Sequence, residues 1–156
     1  MQIAAFVISL LAFIMSSILF GTKIYDRFMT PVIEILNIYP VHDIVYIKIS
    51  VLNRSSSPIA VTHVSIQNYE ANSFPHLIWK NSEHKAFGDS IPSNIPQKSI
   101  IQLIVSIPID SHELSTLTKE NEFSLSVTTS LGNQQVTVET KHKLRSIDQL
   151  AKERNL

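Results

Sequence analysis

The sequence predicts an all-β fold, with an N-terminal transmembrane helix followed by an immunoglobulin-like antiparallel β-sandwich and a short C-terminal helix. The first 22 residues carry no charged side chain, whereas all thirteen basic and thirteen acidic residues follow them. Between residues 31 and 142, apolar residues alternate with polar ones in several short runs, as in half-buried strands. Turn signals separate these runs and no helical periodicity interrupts them, which favours two packed antiparallel sheets. A small open barrel is the alternative.

We divide the chain into a transmembrane anchor (1–22), a juxtamembrane connector (23–30), a β-sandwich domain (31–142) and a basic C-terminal helical tail (143–156). The part after the anchor has the length of about one domain, which excludes a multidomain enzyme. The chain has no cysteine, which excludes a disulfide scaffold and a lipoprotein. Its net charge of zero argues against a nucleic-acid partner.

The anchor is predicted from Ile3–Phe20, which contains apolar residues and three serines. As a helix, the uncharged stretch would be roughly 30 Å long, the thickness of a bilayer core. A cleaved signal peptide is the alternative, but the stretch lacks a positively charged start and is too long. Gly21 could occupy a cleavage position, but Leu19 is a poor partner for it. We therefore expect an uncleaved anchor in a single-pass protein of the cell membrane.

The orientation follows from the basic residues that flank the anchor. Only the α-amino group is positive before it, whereas Lys23 and Arg27 follow it at once, partly offset by Asp26. The positive-inside rule then places the domain in the cytoplasm.

Small residues recur along one face of the predicted helix, at Ala5, Ser9, Ala12 and Ser16. Such faces allow two transmembrane helices to approach closely, and serine hydroxyls can bond across the contact. We therefore expect helix–helix packing there, with a homo-oligomer as one outcome. The alternative is that this face meets lipid.

The strands are predicted one after another from Pro31. Ile33–Tyr39 is an apolar run in which the sequence does not show which side chains point toward the core. The next strand has an unambiguous apolar face, formed by Val45, Ile47, Ile49 and Val51. In the third strand the apolar phase shifts by one residue at Thr62-His63, which indicates a β-bulge.

The second half of the domain begins with a short predicted strand at Phe74–Lys80, followed by a long polar loop at Asn81–Lys98. Alternation returns from Ile101 to Ile109, where Pro108 indicates an edge strand or the end of pairing. Two further strands begin near Phe123 and Val136, and Leu131–Gln134 between them is a hairpin signal.

The C-terminal tail begins with a capping box at Ser146–Gln149. The helix that follows is too short to be stable alone, so it must dock on the sandwich or fray. The segment Lys141–Leu156 has five basic and two acidic residues. Contact with anionic lipid is one interpretation of this charge. We favour a solvated helix end, because the basic residues are interrupted rather than clustered.

No residue pattern predicts catalysis, a cofactor or a metal. The six histidines do not have the spacing of zinc ligands, and three isolated glycines cannot form a phosphate-binding loop. Asp110-Ser111-His112 has the residue types of a triad, but triad members meet in space rather than in sequence. Asn53-Arg54-Ser55 is a formal glycosylation sequon, which we interpret as turn chemistry.

The chain resembles a loose group of uncharacterised bacterial and prophage single-span membrane proteins with an immunoglobulin-like β-sandwich. The likeness rests on Ile3–Phe20, on Val45–Ile66 with its turn Asn53–Ile59, on the proline-containing entry Ile91–Ser99 into Ile100–Ile109, and on Val127–Gly132. It implies a fold but no catalytic residue. Small phage proteins that block superinfection have a similar outline, by analogy of architecture alone.

The function we expect is that of a non-enzymatic, membrane-anchored interaction module with a protein partner, in the setting of prophage exclusion or immunity. The residues proposed for partner contact are Trp79, His84, Phe87 and Asp89, in or beside the predicted polar loop. For Trp79, a place in the core is the alternative. The alternative function is that of an extracytoplasmic envelope or secretion-assembly protein. A hydrolase is disfavoured because no constellation meets the geometric requirements.

Overall fold

The computed structural model describes residues 2–27, 29–74, 76–80, 83–110, 113, 116, 119 and 122–153, with the backbone alone at 76–80 and 83–87. Its first element is a single long helix, α1 (Gln2–Arg27). The large apolar side chains of α1 are exposed, Phe6 by 69 % and Phe13 by 71 %. Because α1 continues to Arg27, much of the segment assigned to the connector is helical.

The described strands follow in chain order as β1 (Val32–Val41), β2 (Ile44–Leu52), β3 (Ile59–Ile66), β4 (Tyr69–Glu70), β5 (His76–Lys80), β6 (Glu83–Phe87), β7 (Ser93–Ile95), β8 (Ile100–Pro108), β9 (Glu122–Thr129) and β10 (Gly132–Glu139). One sheet has the order β1-β2-β8, and the other has the order β10-β9-β3-β4, with β7 paired to β3. Strands β5 and β6 form a separate hairpin. These pairings are antiparallel. The predicted all-β fold behind an apolar helix is confirmed, and the two sheets are consistent with a β-sandwich.

The core lies between the two sheets and is built from the apolar sides of their strands. The predicted inward residues of β2, Val45 to Val51, are fully buried. They share one hydrophobic cluster with side chains of the opposite sheet, among them Val64, Leu125 and Val127. Alternation of apolar residues therefore predicted the buried face of these strands correctly, since successive side chains of a strand point to opposite faces.

Two bulges explain where the alternation breaks. In β3 the pairing with β9 shifts between Val61 and His63, which confirms the bulge predicted at Thr62. In β1 the pairing with β2 shifts between Ile35 and Asn37, so Leu36 is an extra residue. This second bulge is why the inward phase of Ile33–Tyr39 is ambiguous in the sequence.

The prediction that Asn81–Lys98 is a polar loop is wrong for two parts of the segment, which form β6 and β7. Strand β7 has three residues and is paired with Ile59–Val61 of β3. Strand β6 is paired over five positions with β5, the strand predicted at Phe74–Lys80. Short, polar strands such as these depend on partners distant in sequence, so their own residues give little signal.

The C-terminal segment docks on the sandwich, as its length required. A second helix, α2 (Ile147–Glu153), packs over the outer face of the β1-β2-β8 sheet. There Leu150 is fully buried in a second cluster with Tyr39, Tyr46 and Ile104. Residues 143–145 lie parallel to β1, because the Ile38 amide donates to the Lys143 carbonyl and the Arg145 amide to the Ile38 carbonyl, both at 2.9 Å.

Candidate functional site

The β5–β6 hairpin holds three of the four residues proposed for partner contact. Its backbone register sets Trp79 opposite His84 and His76 opposite Phe87. The side chains of Trp79, His84 and Phe87 lie outside the described part of the structure. The register therefore brings Trp79 and His84 together and sets Phe87 three residues away, at the base of the hairpin. Contact of any of these residues with a partner stays a prediction.

The base of the hairpin is fixed to the free edge of β8. The Asn72 amide donates to the Ser106 carbonyl at 2.9 Å, and the Asp89 amide donates to the Ile104 carbonyl at 2.7 Å. The Asp89 carboxylate also accepts the Ile104 amide at 2.7 Å. Asp89, the fourth proposed contact residue, therefore anchors the hairpin to the sandwich. Its contact with a partner remains untested.

The small residues of α1 lie along an exposed helix face. Ala5, Ser9, Ala12 and Ser16 are all exposed. The nearby Ser17 hydroxyl donates to the Phe13 carbonyl at 2.9 Å, a bond within one helix that competes with bonding across a helix pair. The structure supports the placement of the four residues on one helix, and their packing against another helix stays a prediction.

The junction between α1 and the sandwich is a site that sequence reasoning missed. The Lys98 ammonium forms an ion pair with the Asp26 carboxylate. The Ser56 amide donates to the Asp26 carbonyl at 3.2 Å. Beside these bonds, Tyr25, Met29, Thr30 and Arg54 line an open cleft of about 280 Å³. Lys98 and Arg54 lie in separate loops that reach α1 only in the folded chain, so no local sequence pattern could have predicted this junction.

Asn53 explains why those two loops hold together. It is fully buried, and its side-chain nitrogen donates to the Ser57 carbonyl at 2.8 Å and to the Pro96 carbonyl at 2.9 Å. Its side-chain oxygen accepts the Ser55 amide at 3.0 Å and the Ser55 hydroxyl at 2.8 Å. These bonds confirm the predicted turn chemistry of the sequon. They also enclose the amide nitrogen that would carry a sugar.

No metal centre can be assembled from the described side chains. Within this part of the chain no group of three or more histidine, cysteine, aspartate or glutamate residues could hold a metal ion. His63 lies 3.8 Å from Glu70 at the surface. Ser111 and His112 lie outside the described residues, so the Asp110-Ser111-His112 arrangement has no structural account.

The sequence matches no protein-family model, and no curated protein matches it.

Proposed function

We propose that this protein is a non-enzymatic, membrane-anchored interaction module that holds a β-sandwich at the cytoplasmic face of the cell membrane. The observation that carries this proposal is α1 itself. It is long and apolar enough to cross a bilayer, and none of its most hydrophobic window is buried within the chain. Exposure of such an apolar surface to water has an unfavourable free energy of about 25 cal/mol per Å², and insertion into a bilayer removes that exposure.

The contacts at the junction support a close tether. Only residues 28–31 separate α1 from β1, and Asp26 is bonded to both Lys98 and Ser56. The sandwich is therefore held at the end of the helix rather than on a long flexible linker. Such a tether raises the effective concentration of the domain for a partner at the same membrane.

The β5–β6 hairpin is the part of the domain that we propose for partner contact. It belongs to neither of the two main sheets and is attached at its base, through Asn72 and Asp89, to β8. Segments attached to a rigid scaffold often carry binding residues, and Trp79 and Phe87 lie on this hairpin. Aromatic residues are also the most common anchors of protein interfaces.

The partner surface can be tested by photo-crosslinking in cells. A photoreactive residue replacing Trp79 should capture a protein partner, whereas the same residue replacing the exposed Gln135 of β10 should not. Crosslinks of equal yield from both positions would contradict the assignment of the hairpin. A matched variant pair, Phe87→Ala and Gln135→Ala, should show loss of partner capture only for the first.

Exclusion or immunity in a prophage is the setting that we propose for this module, on the analogy of architecture alone. Lysogeny genes beside the gene for this protein would support it. A secretion cluster would instead support the alternative, an extracytoplasmic assembly protein.

A further inference from the structure

The cleft at the junction lies at the depth of the lipid headgroups if α1 spans the membrane, which is the premise taken from the proposed function. The uncharged part of α1 ends at Thr22, after roughly 30 Å of helix, so the hydrocarbon core ends close to that residue. Tyr25 is about 4.5 Å further along the axis. The interfacial layer is about 5–7 Å thick, so the Tyr25 side of the cleft lies within it.

The cleft has the chemistry of a phosphate site. Its lining residues include the basic Arg54, the hydroxyl-bearing Tyr25 and Thr30, and the apolar Met29. The nearest carboxylate in the junction, that of Asp26, is already paired with Lys98. Among the described side chains, no carboxylate lies within ion-pair distance of Arg54, Lys23 or Arg27. Among the described residues, Arg54 therefore has no carboxylate partner.

The backbone that carries Arg54 is fixed before any ligand arrives. Its neighbours Asn53 and Ser55 are both fully buried and bonded to one another. The loop that carries Lys98 is held to the same turn, since the Lys98 amide donates to the Ser55 carbonyl at 3.2 Å and the Asn53 amide to the Ser99 carbonyl at 2.8 Å. A pre-formed site loses less entropy on binding than a mobile one.

We propose that this cleft binds the phosphate group of an anionic phospholipid, with Arg54 as its principal cation. Arginine presents planar donors that match the oxygens of a phosphate. The lipid chains would continue along the exposed apolar surface of α1. Free inorganic phosphate has the same donor requirement, so the experiment must separate the two sources.

The test is native mass spectrometry of the full-length protein released from detergent, with phosphatidylglycerol or phosphatidylcholine added. We expect one phosphatidylglycerol retained in preference to phosphatidylcholine. Arg54→Gln should weaken that retention about five-fold, the effect of one arginine near an anionic surface. The matched control is Arg145→Gln, which removes an exposed cation beside β1, far from the cleft. It should retain the lipid as the unmodified protein does.

Two results would overturn the proposal. One is equal retention of phosphatidylglycerol by Arg54→Gln and the unmodified protein. The other is displacement of the lipid by millimolar inorganic phosphate, which would identify a free phosphate as the occupant. A carbonate wash of membranes separates this inference from its premise: a protein that is released never spanned the membrane, and a protein that is retained without lipid preference contradicts the lipid site alone.

Discussion

Asn53 shows how a single buried amide can organise one end of the domain. Its side chain bonds to Ser55 and Ser57 of its own turn and to Pro96 of a second loop. Those loops carry Arg54 and Lys98, the two cations that the sandwich contributes to the junction with α1. The sequence identified this turn, but it could not show that the amide also reaches Pro96, because the two residues meet only in the folded chain.

We expect Asn53→Ala to lower the free energy of unfolding by about 2–4 kcal/mol, because it leaves buried carbonyl groups without a donor. Chemical denaturation of the full-length protein in detergent measures this change. Asn94→Ala, at an exposed position, is the control and should change the stability by less than about 0.5 kcal/mol. Equal effects of the two substitutions would contradict the role of Asn53.

Tyr46 gives the domain a dependence on alkaline pH. Burial beneath α2 raises the pKa of its phenol above the ordinary value near 10. Folding therefore favours the neutral phenol, and this stability is complete below pH 10 and is lost as the pH rises through the raised pKa. Tyr46→Phe should reduce the loss of stability measured between neutral and alkaline pH. An unchanged pH profile would contradict this account.

Among the elements, the strands with uninterrupted alternation were predictable and the strands held by tertiary pairing were not. Val45 to Val51 and Phe123 to Val127 define their buried faces within a few residues of sequence. Strand β7 forms only because β3 lies beside it, and the bulge at Leu36 disguises the inward face of β1. The sequence predicts only the first strand of the β5–β6 hairpin, because the polar residues of the second strand indicate a loop.

The C-terminal helix α2 depends on Leu150. We expect Leu150→Ala to cost about 2–4 kcal/mol, since it removes a fully buried side chain from the second cluster. Hydrogen exchange at residues 147–153 should accelerate by a corresponding factor. Lys152→Ala, on the exposed side of α2, should leave this exchange unchanged. Equal protection in both variants would show that Leu150 does not hold the helix.

The small-residue face of α1 is testable with substitutions of matched spacing. Ala5→Leu with Ala12→Leu should abolish a dimer signal in a membrane two-hybrid assay, because bulky side chains keep the two helices apart. Val7→Leu with Ile14→Leu also introduces two leucines, but on the opposite side of the helix, where the side chains are already large, and should preserve the signal. A signal that survives the first pair would exclude this face as the contact.

Charged residues are distributed unevenly along the chain, and the structure shows where each group of them lies. The uncharged part of α1 ends just before a junction where Lys98 pairs with Asp26 and Arg54 lines the cleft beside Tyr25. The basic C-terminal segment lies elsewhere, beside Ile38 of β1, with Lys143 placed 3.8 Å from Glu34. Ile38 is six residues, or about 20 Å, along β1 from its α1-proximal start. We therefore favour a solvated tail and propose lipid contact only at the junction.

The central claim is that α1 spans the membrane and holds the sandwich on the cytoplasmic side. The natural chain has no cysteine, so one introduced cysteine reports its own accessibility. With Gln135→Cys on the exposed side of β10, a membrane-impermeant maleimide should label the protein after lysis but not in intact cells. Equal labelling in intact cells would place the domain outside and contradict the account.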